Sequence, residues 1–79
     1  MSINFTETEK GIANLLARFG YSNKELATVL NLAEPTIKGH IGNISRKIEE
    51  KTGIEHVNRV KIVLYVLGKL EVPHGTDIR

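Results

Sequence analysis

Between Pro35 and Gly53 four isoleucines stand at Ile37, Ile41, Ile44 and Ile48, and this spacing constrains the fold more than any other feature of the chain. At about 100° per residue, their side chains fall on one narrow stripe of a helix. Pro35 is tolerated only in a first turn, and Gly53 offers the left-handed residue that ends a helix without a side-chain clash. The segment therefore reads as one long helix, about 35–52, starting near Glu34. Its stripe must be covered by other elements. With 79 residues the chain has room for one domain, so those elements share a single core.

The covering helices are marked by their caps. Thr6-Glu7-Thr8-Glu9 has the form of a capping box, which predicts a helix over 7–19 with Ile12, Leu15, Leu16 and Phe19 at helical spacing and Gly20 as its stop. Ser22-Asn23-Lys24-Glu25 repeats the signal, and Tyr21 and Leu26 are placed to form a hydrophobic staple. The second helix is short. It carries Leu26, Ala27, Val29 and Leu30 and ends at Asn31, which tolerates a left-handed backbone. A last helix is expected from a cap at Asn58 to Leu70, with Val60, Val63, Leu64, Leu67 and Leu70 as its core stripe. Pro73 and Gly75 mark residues 71–79 as a flexible tail, leaving a core of about 5–70 within a single domain 1–79. The fold class is all-α: a four-helix, bundle-like domain.

Composition narrows the function. The chain has no cysteine, which excludes a disulfide framework and a thiolate zinc site and fits a reducing, cytoplasmic setting. Its longest apolar run, Ile62 to Leu67, is far too short to span a bilayer, so no membrane partner is expected. His40, His56 and His74 are dispersed and read as no metal site. Glu49 and Glu50 diverge by about 100° round a helix and read as a solvated helix end. No phosphate loop or nucleophile motif occurs, so neither a cofactor nor an enzyme is expected.

Two helices joined by three or four residues, with the small Ala27 where their axes approach, form a helix-turn-helix. Opposite the isoleucine stripe lie Gly39, Gly42 and Arg46, with Pro35, Asn43 and Glu50 nearby. Lys38 and Ser45 flank one side, and Thr36, His40 and Lys47 the other. The cations precede Glu49 and Glu50, so the first three turns suit phosphate contact. The plainer alternative is the solvated face of an amphipathic helix. A net charge of +2 permits a nucleic-acid partner without requiring one.

The run Ser22-Asn23-Lys24-Glu25-Leu26-Ala27, then Leu30, Leu32, Thr36-Ile37-Lys38, His40-Ile41, Asn43-Ile44 and Lys47-Ile48, resembles the GerE/LuxR-type helix-turn-helix family. The likeness extends back through Thr6, Glu9, Ile12 and Leu15-Leu16 and forward to Gly53-Ile54 and Arg59. It implies a four-helix bacterial or phage domain that binds double-stranded DNA, usually as a dimer, and regulates promoters in the cytoplasm, at the nucleoid. On this resemblance Lys38 reaches bases or phosphates, Asn43 and Lys47 hold the adjacent backbone, and Lys24 and Thr36 make further phosphate contacts. Gly39 and Gly42 occupy positions that read bases in the family, beside His40 and Arg46. Ala33 stands where a capping serine is usual, while Glu49-Glu50-Lys51-Thr52 and Glu55-His56-Val57 look like insertions.

The last helix has a second apolar edge, Ile62, Tyr65 and Val66, bordered by Arg59 and Lys69. A helix apolar on two sides needs two partners. The second is expected to be the same helix of another subunit, or else the tail through Val72 or Ile78. Two functions follow: a stand-alone transcription factor acting as a homodimer, or a protein-interaction module that uses the same scaffold to bind another regulator or RNA polymerase, as an inhibitor for example.

Overall fold

Helix α1 spans Glu7–Phe19, α2 Asn23–Leu30, α3 Glu34–Thr52 and α4 Arg59–Val66. The computed structural model describes residues 3–70, and no strand occurs among them. Both capping boxes form in full. The Thr6 and Ser22 hydroxyls accept from the amides of Glu9 and Glu25, and each glutamate carboxylate accepts from the amide of its cap. Asn31 closes α2 with φ 58°. Helix α3 begins without a side-chain cap, because Ala33 has no hydroxyl; Pro35 in the first turn presets the backbone instead.

Helix α3 is the hub of the domain, since α1, α2 and α4 all pack on it and α1 also lies along α4. Ile37, Ile44 and Ile48 are fully buried, and Ile41 is half-buried. They meet Ile12, Ala13 and Leu16 of α1, Leu26 of α2 and Ile62 of α4 in one cluster. Each fully buried Leu or Ile contributes roughly 1.5–3 kcal/mol relative to exposure. The isoleucine stripe thus becomes the seam that the other three helices close.

Helix α4 departs from its expected length and face. It ends at Val66, not Leu70, because Gly68 turns left-handed at φ 75°. The Gly68 and Lys69 amides then donate to the carbonyls of Tyr65 and Leu64, a Schellman closure that satisfies the last turn. Its rotation is also different. Ile62 is fully buried and Tyr65 and Val66 pack half-buried on the core, whereas Val60 is 63% and Leu67 52% exposed. Of the stripe expected to face the core, Val63 and Leu70 do pack on it, whereas Val60 and Leu67 turn to solvent. Six of the eight residues of RVKIVLYV are apolar, so periodicity alone could not choose a face. The preceding loop chooses it: Val57 is buried and its amide donates to Glu49 Oε2 at 2.9 Å, which sets how the chain turns into α4. The expected tail, with Val72 and Ile78, lies outside the described residues.

Candidate nucleic-acid interface

Burying Ile37, Ile44 and Ile48 turns the reverse side of α3 outward. Pro35, Thr36, Lys38, Gly39, Gly42, Arg46 and Glu50 are exposed there, while His40, Asn43 and Ser45 are half-buried at its margins. A Cβ built at Gly39 or Gly42 would meet nothing within 4 Å, so no neighbour inside the domain requires glycine at either place. Mid-helix glycine nevertheless costs about 1 kcal/mol relative to alanine. The result is a strip of bare backbone between the cations Lys38 and Arg46.

Arg46 is held only loosely. Its Nε lies 4.0 Å from Glu50 Oε2, with the two side chains 60% and 71% exposed, and a solvated i,i+4 pair of this kind contributes little. The guanidinium is therefore available to an external acceptor. Lys38, and Lys24 on α2, are exposed and take part in none of the ion pairs among the described residues. Two acids, Glu34 and Glu50, sit at opposite ends of this exposed surface.

Lys47, expected at the DNA backbone, is instead committed inside the domain. Its Nζ lies 2.6 Å from Glu9 Oε1, donates to the Asn4 carbonyl at 3.2 Å and stands 5.9 Å from the centre of the Phe5 ring. The Glu9 side chain is only 4% exposed. A carboxylate so enclosed must be paired, and Lys47 is the cation that pairs it. Burial pushes the Glu9 carboxyl up, but the hydrogen bond from Lys47, the Thr6 amide and the Lys47 charge together outweigh it and leave the group below its ordinary value of 4.5.

The sign of the linkage follows. A carboxyl held lower in the folded state than in the unfolded state stabilises fully above the unfolded value, and that contribution is lost as pH falls through the folded value. The thermal midpoint should therefore drop on acidification below about 4.5 more steeply for the natural protein than for Glu9→Gln. Parallel melting curves across that range would show it; superimposable pH profiles would deny Glu9 the role.

The residues expected at a subunit interface are also placed differently. Ile62 is fully buried, and Tyr65 and Val66 are half-buried against the core. Arg59 turns its Nη2 to the Tyr21 carbonyl at 3.2 Å and to Asn23 Oδ1 at 2.6 Å. Only Lys69 of that set is exposed. Among the described residues, the apolar side chains left exposed here are Val60 of α4 and Leu67 at its C-cap.

The roles of Asn4, Phe5 and the Asn23 side chain are not signalled by the sequence, and Glu49, which reads as solvated, anchors the Val57 amide. One signal was available for the ion pair. Glu9 falls at helical spacing with Ile12, Ala13 and Leu16, so an acid on the core face demanded a cation. No group of three or more His, Asp or Glu suited to a metal occurs among the described residues; His74 lies outside them. No helix there is long and apolar enough to cross a membrane.

The model of the family described as "Bacterial regulatory proteins, luxR family" matches residues 4–66, running through all four helices. The chain belongs to the luxR family of bacterial regulatory proteins. Over 49 residues it is 43% identical to the nitrate/nitrite response regulator protein NarP of Escherichia coli (strain K12), a match covering 62% of this chain and 22% of that protein. The aligned region is thus about a fifth of that relative's length. No solved structure matches the chain. The luxR-type domain is a DNA-binding, transcription-regulating helix-turn-helix unit, and here that unit is α2 and α3.

Proposed function

We propose that this domain regulates transcription by binding double-stranded DNA as a homodimer, with the exposed face of α3 in the major groove, in the cytoplasm of a bacterial cell. One observation carries the reading: three fully buried isoleucines oppose an exposed strip holding Lys38, Gly39, Gly42 and Arg46. Lys24 and Thr36 supply phosphate contacts, Lys38 and Arg46 neutralise phosphates at the groove edge as well as reaching base edges, and Asn43 and His40 border the groove wall. In this reading Lys47, paired with Glu9, serves the fold and not the groove. The dimer forms through the outer face of α4, Val60 and Leu67, which the domain's own core leaves uncovered. The sites read would be inverted half-sites about one helical turn apart.

A salt titration tests the reading. Three cations per subunit, Lys24, Lys38 and Arg46, predict a log–log slope of about −5 for a dimer, at roughly 0.9 per phosphate neutralised. Arg46→Ala should lower the slope and also relax discrimination at one base pair by about 1–3 kcal/mol. Binding that is indifferent to salt would reject DNA as the ligand.

The same bare strip supports a second reading, in which a protein such as RNA polymerase or another regulator packs on Gly39 and Gly42. Replacing both with alanine separates the two. The fold has open space for each methyl, so the variant should be more stable by up to about 2 kcal/mol. Under the DNA reading it should bind operator more weakly, because the backbone can no longer lie as deep in the groove. Tighter specific binding by the double variant would sink that use of the glycines.

A further inference from the structure

We infer that Arg59 is a positioning residue for DNA binding: it clasps the start of α2 from α4, so that the phosphate contact of Lys24 depends on a bond made by the proposed dimer helix. The inference rests on the DNA-binding reading. Helix α2 is eight residues long, and Leu26 is its one fully buried side chain. Helices so short are marginal by themselves, and their geometry comes from what holds them. The far end of α2 is tied to α3 by the turn through Asn31, whose amide and that of Leu32 return to α2 carbonyls. At the near end Ser22 caps the helix from within, and Glu25 returns the bond, so the capping box fixes the turn but not its place in the domain.

Tyr21 packs on the core and stacks on Phe19 just before the cap, and Arg59 adds the polar tie from α4. Arg59 is the first residue of α4, and one guanidinium nitrogen donates to the Tyr21 carbonyl at 3.2 Å and to Asn23 Oδ1 at 2.6 Å, thirty-eight and thirty-six positions away. Those acceptors flank the Ser22 cap on either side, and Lys24 is the next residue. Helices α2 and α4 share few other contacts. A guanidinium suits the task because its rigid planar group holds direction, as a lysine's flexible ammonium does not.

The test is a double-mutant cycle between Arg59→Ala and Lys24→Ala, with a duplex carrying two inverted half-sites selected from a random pool as the probe. In the natural background Lys24→Ala should weaken binding about fivefold and lower the salt slope by about one unit per subunit. In the Arg59→Ala background the same change should cost less than twofold. Asn23→Ala, which removes the shorter bond and no charge, should reproduce the Arg59→Ala result. Additive losses would overturn the proposal, as would full affinity and slope in Asn23→Ala, the pattern expected if Arg59 touched phosphate itself. Hydrogen exchange in the DNA-free protein gives a second readout that does not depend on the DNA reading. The amides of Glu25 and Leu26, which donate to Ser22, should exchange faster in Asn23→Ala at temperatures where the remaining helices stay protected. Unchanged protection there overturns the clasp even if DNA is bound, whereas faster exchange with no DNA binding by the natural protein leaves the clasp standing and rejects the proposed ligand.

Discussion

Lys47→Ala should lower the midpoint of thermal unfolding by roughly 10–20 °C, the largest stability loss expected from removing any single charge in this domain. The reason lies in what remains. Glu9 keeps 4% of its side chain exposed, so deleting the ammonium 2.6 Å away leaves a carboxylate with no cation to pair it and little contact with water. Breaking a wholly buried pair costs about 3–5 kcal/mol; because Lys47 itself is 27% exposed, water entering its place offsets part of this, and about 2–3 kcal/mol is expected. For a domain of this size that is a large fraction of total stability. Glu9→Gln in the same background should recover much of the loss, since a neutral amide can still accept from the Thr6 amide. Differential scanning calorimetry of the single and double variants decides. A Lys47→Ala protein that melts normally but binds every DNA sequence less tightly would return Lys47 to the groove and refute its structural role.

Placing glutamate at both Val60 and Leu67 should abolish the proposed dimer and reduce affinity for a two-half-site operator by about 100-fold or more, while leaving the fold intact. Both side chains are more than half exposed, at 63% and 52%, so the monomer loses little when they become polar. The operator complex loses much, because the second half-site is then bound without the gain in effective concentration that a linked subunit provides. Ile62→Ala is the contrasting change. Ile62 has no exposed surface, so truncation should destabilise the monomer by about 2–4 kcal/mol. Analytical ultracentrifugation with and without operator separates the cases. If the Val60 and Leu67 variant still sediments as a dimer on DNA, subunits meet elsewhere.

What was legible beforehand was local. The capping boxes at Thr6 and Ser22, the left-handed stop at Asn31 and the role of Pro35 all act within four or five residues of chain, and each stands where the sequence placed it. The isoleucine stripe was equally readable, because a helix with one apolar side has a single way to bury it. Helix α4 was not, since a helix apolar nearly all round presents several equivalent stripes. The choice between them was made by Val57 and Glu49, eight residues apart and joined only once the loop had closed. The pairing of Lys47 with Glu9 was hidden for a related reason. On the helix Lys47 lies beside the isoleucine stripe, next to groups that do face outward, and only the approach of α1 brings Glu9 to it.

The amino-acid order alone therefore determined where each helix begins, where the first three end and which side of α3 is hidden, since those outcomes depend on neighbours a few residues away. Tertiary structure alone decided which cations remain free and which face of α4 is left uncovered. Charge pairing and helix rotation depend on groups such as Glu9 and Lys47, thirty-eight positions apart in the chain, whose distance is set only when the helices pack.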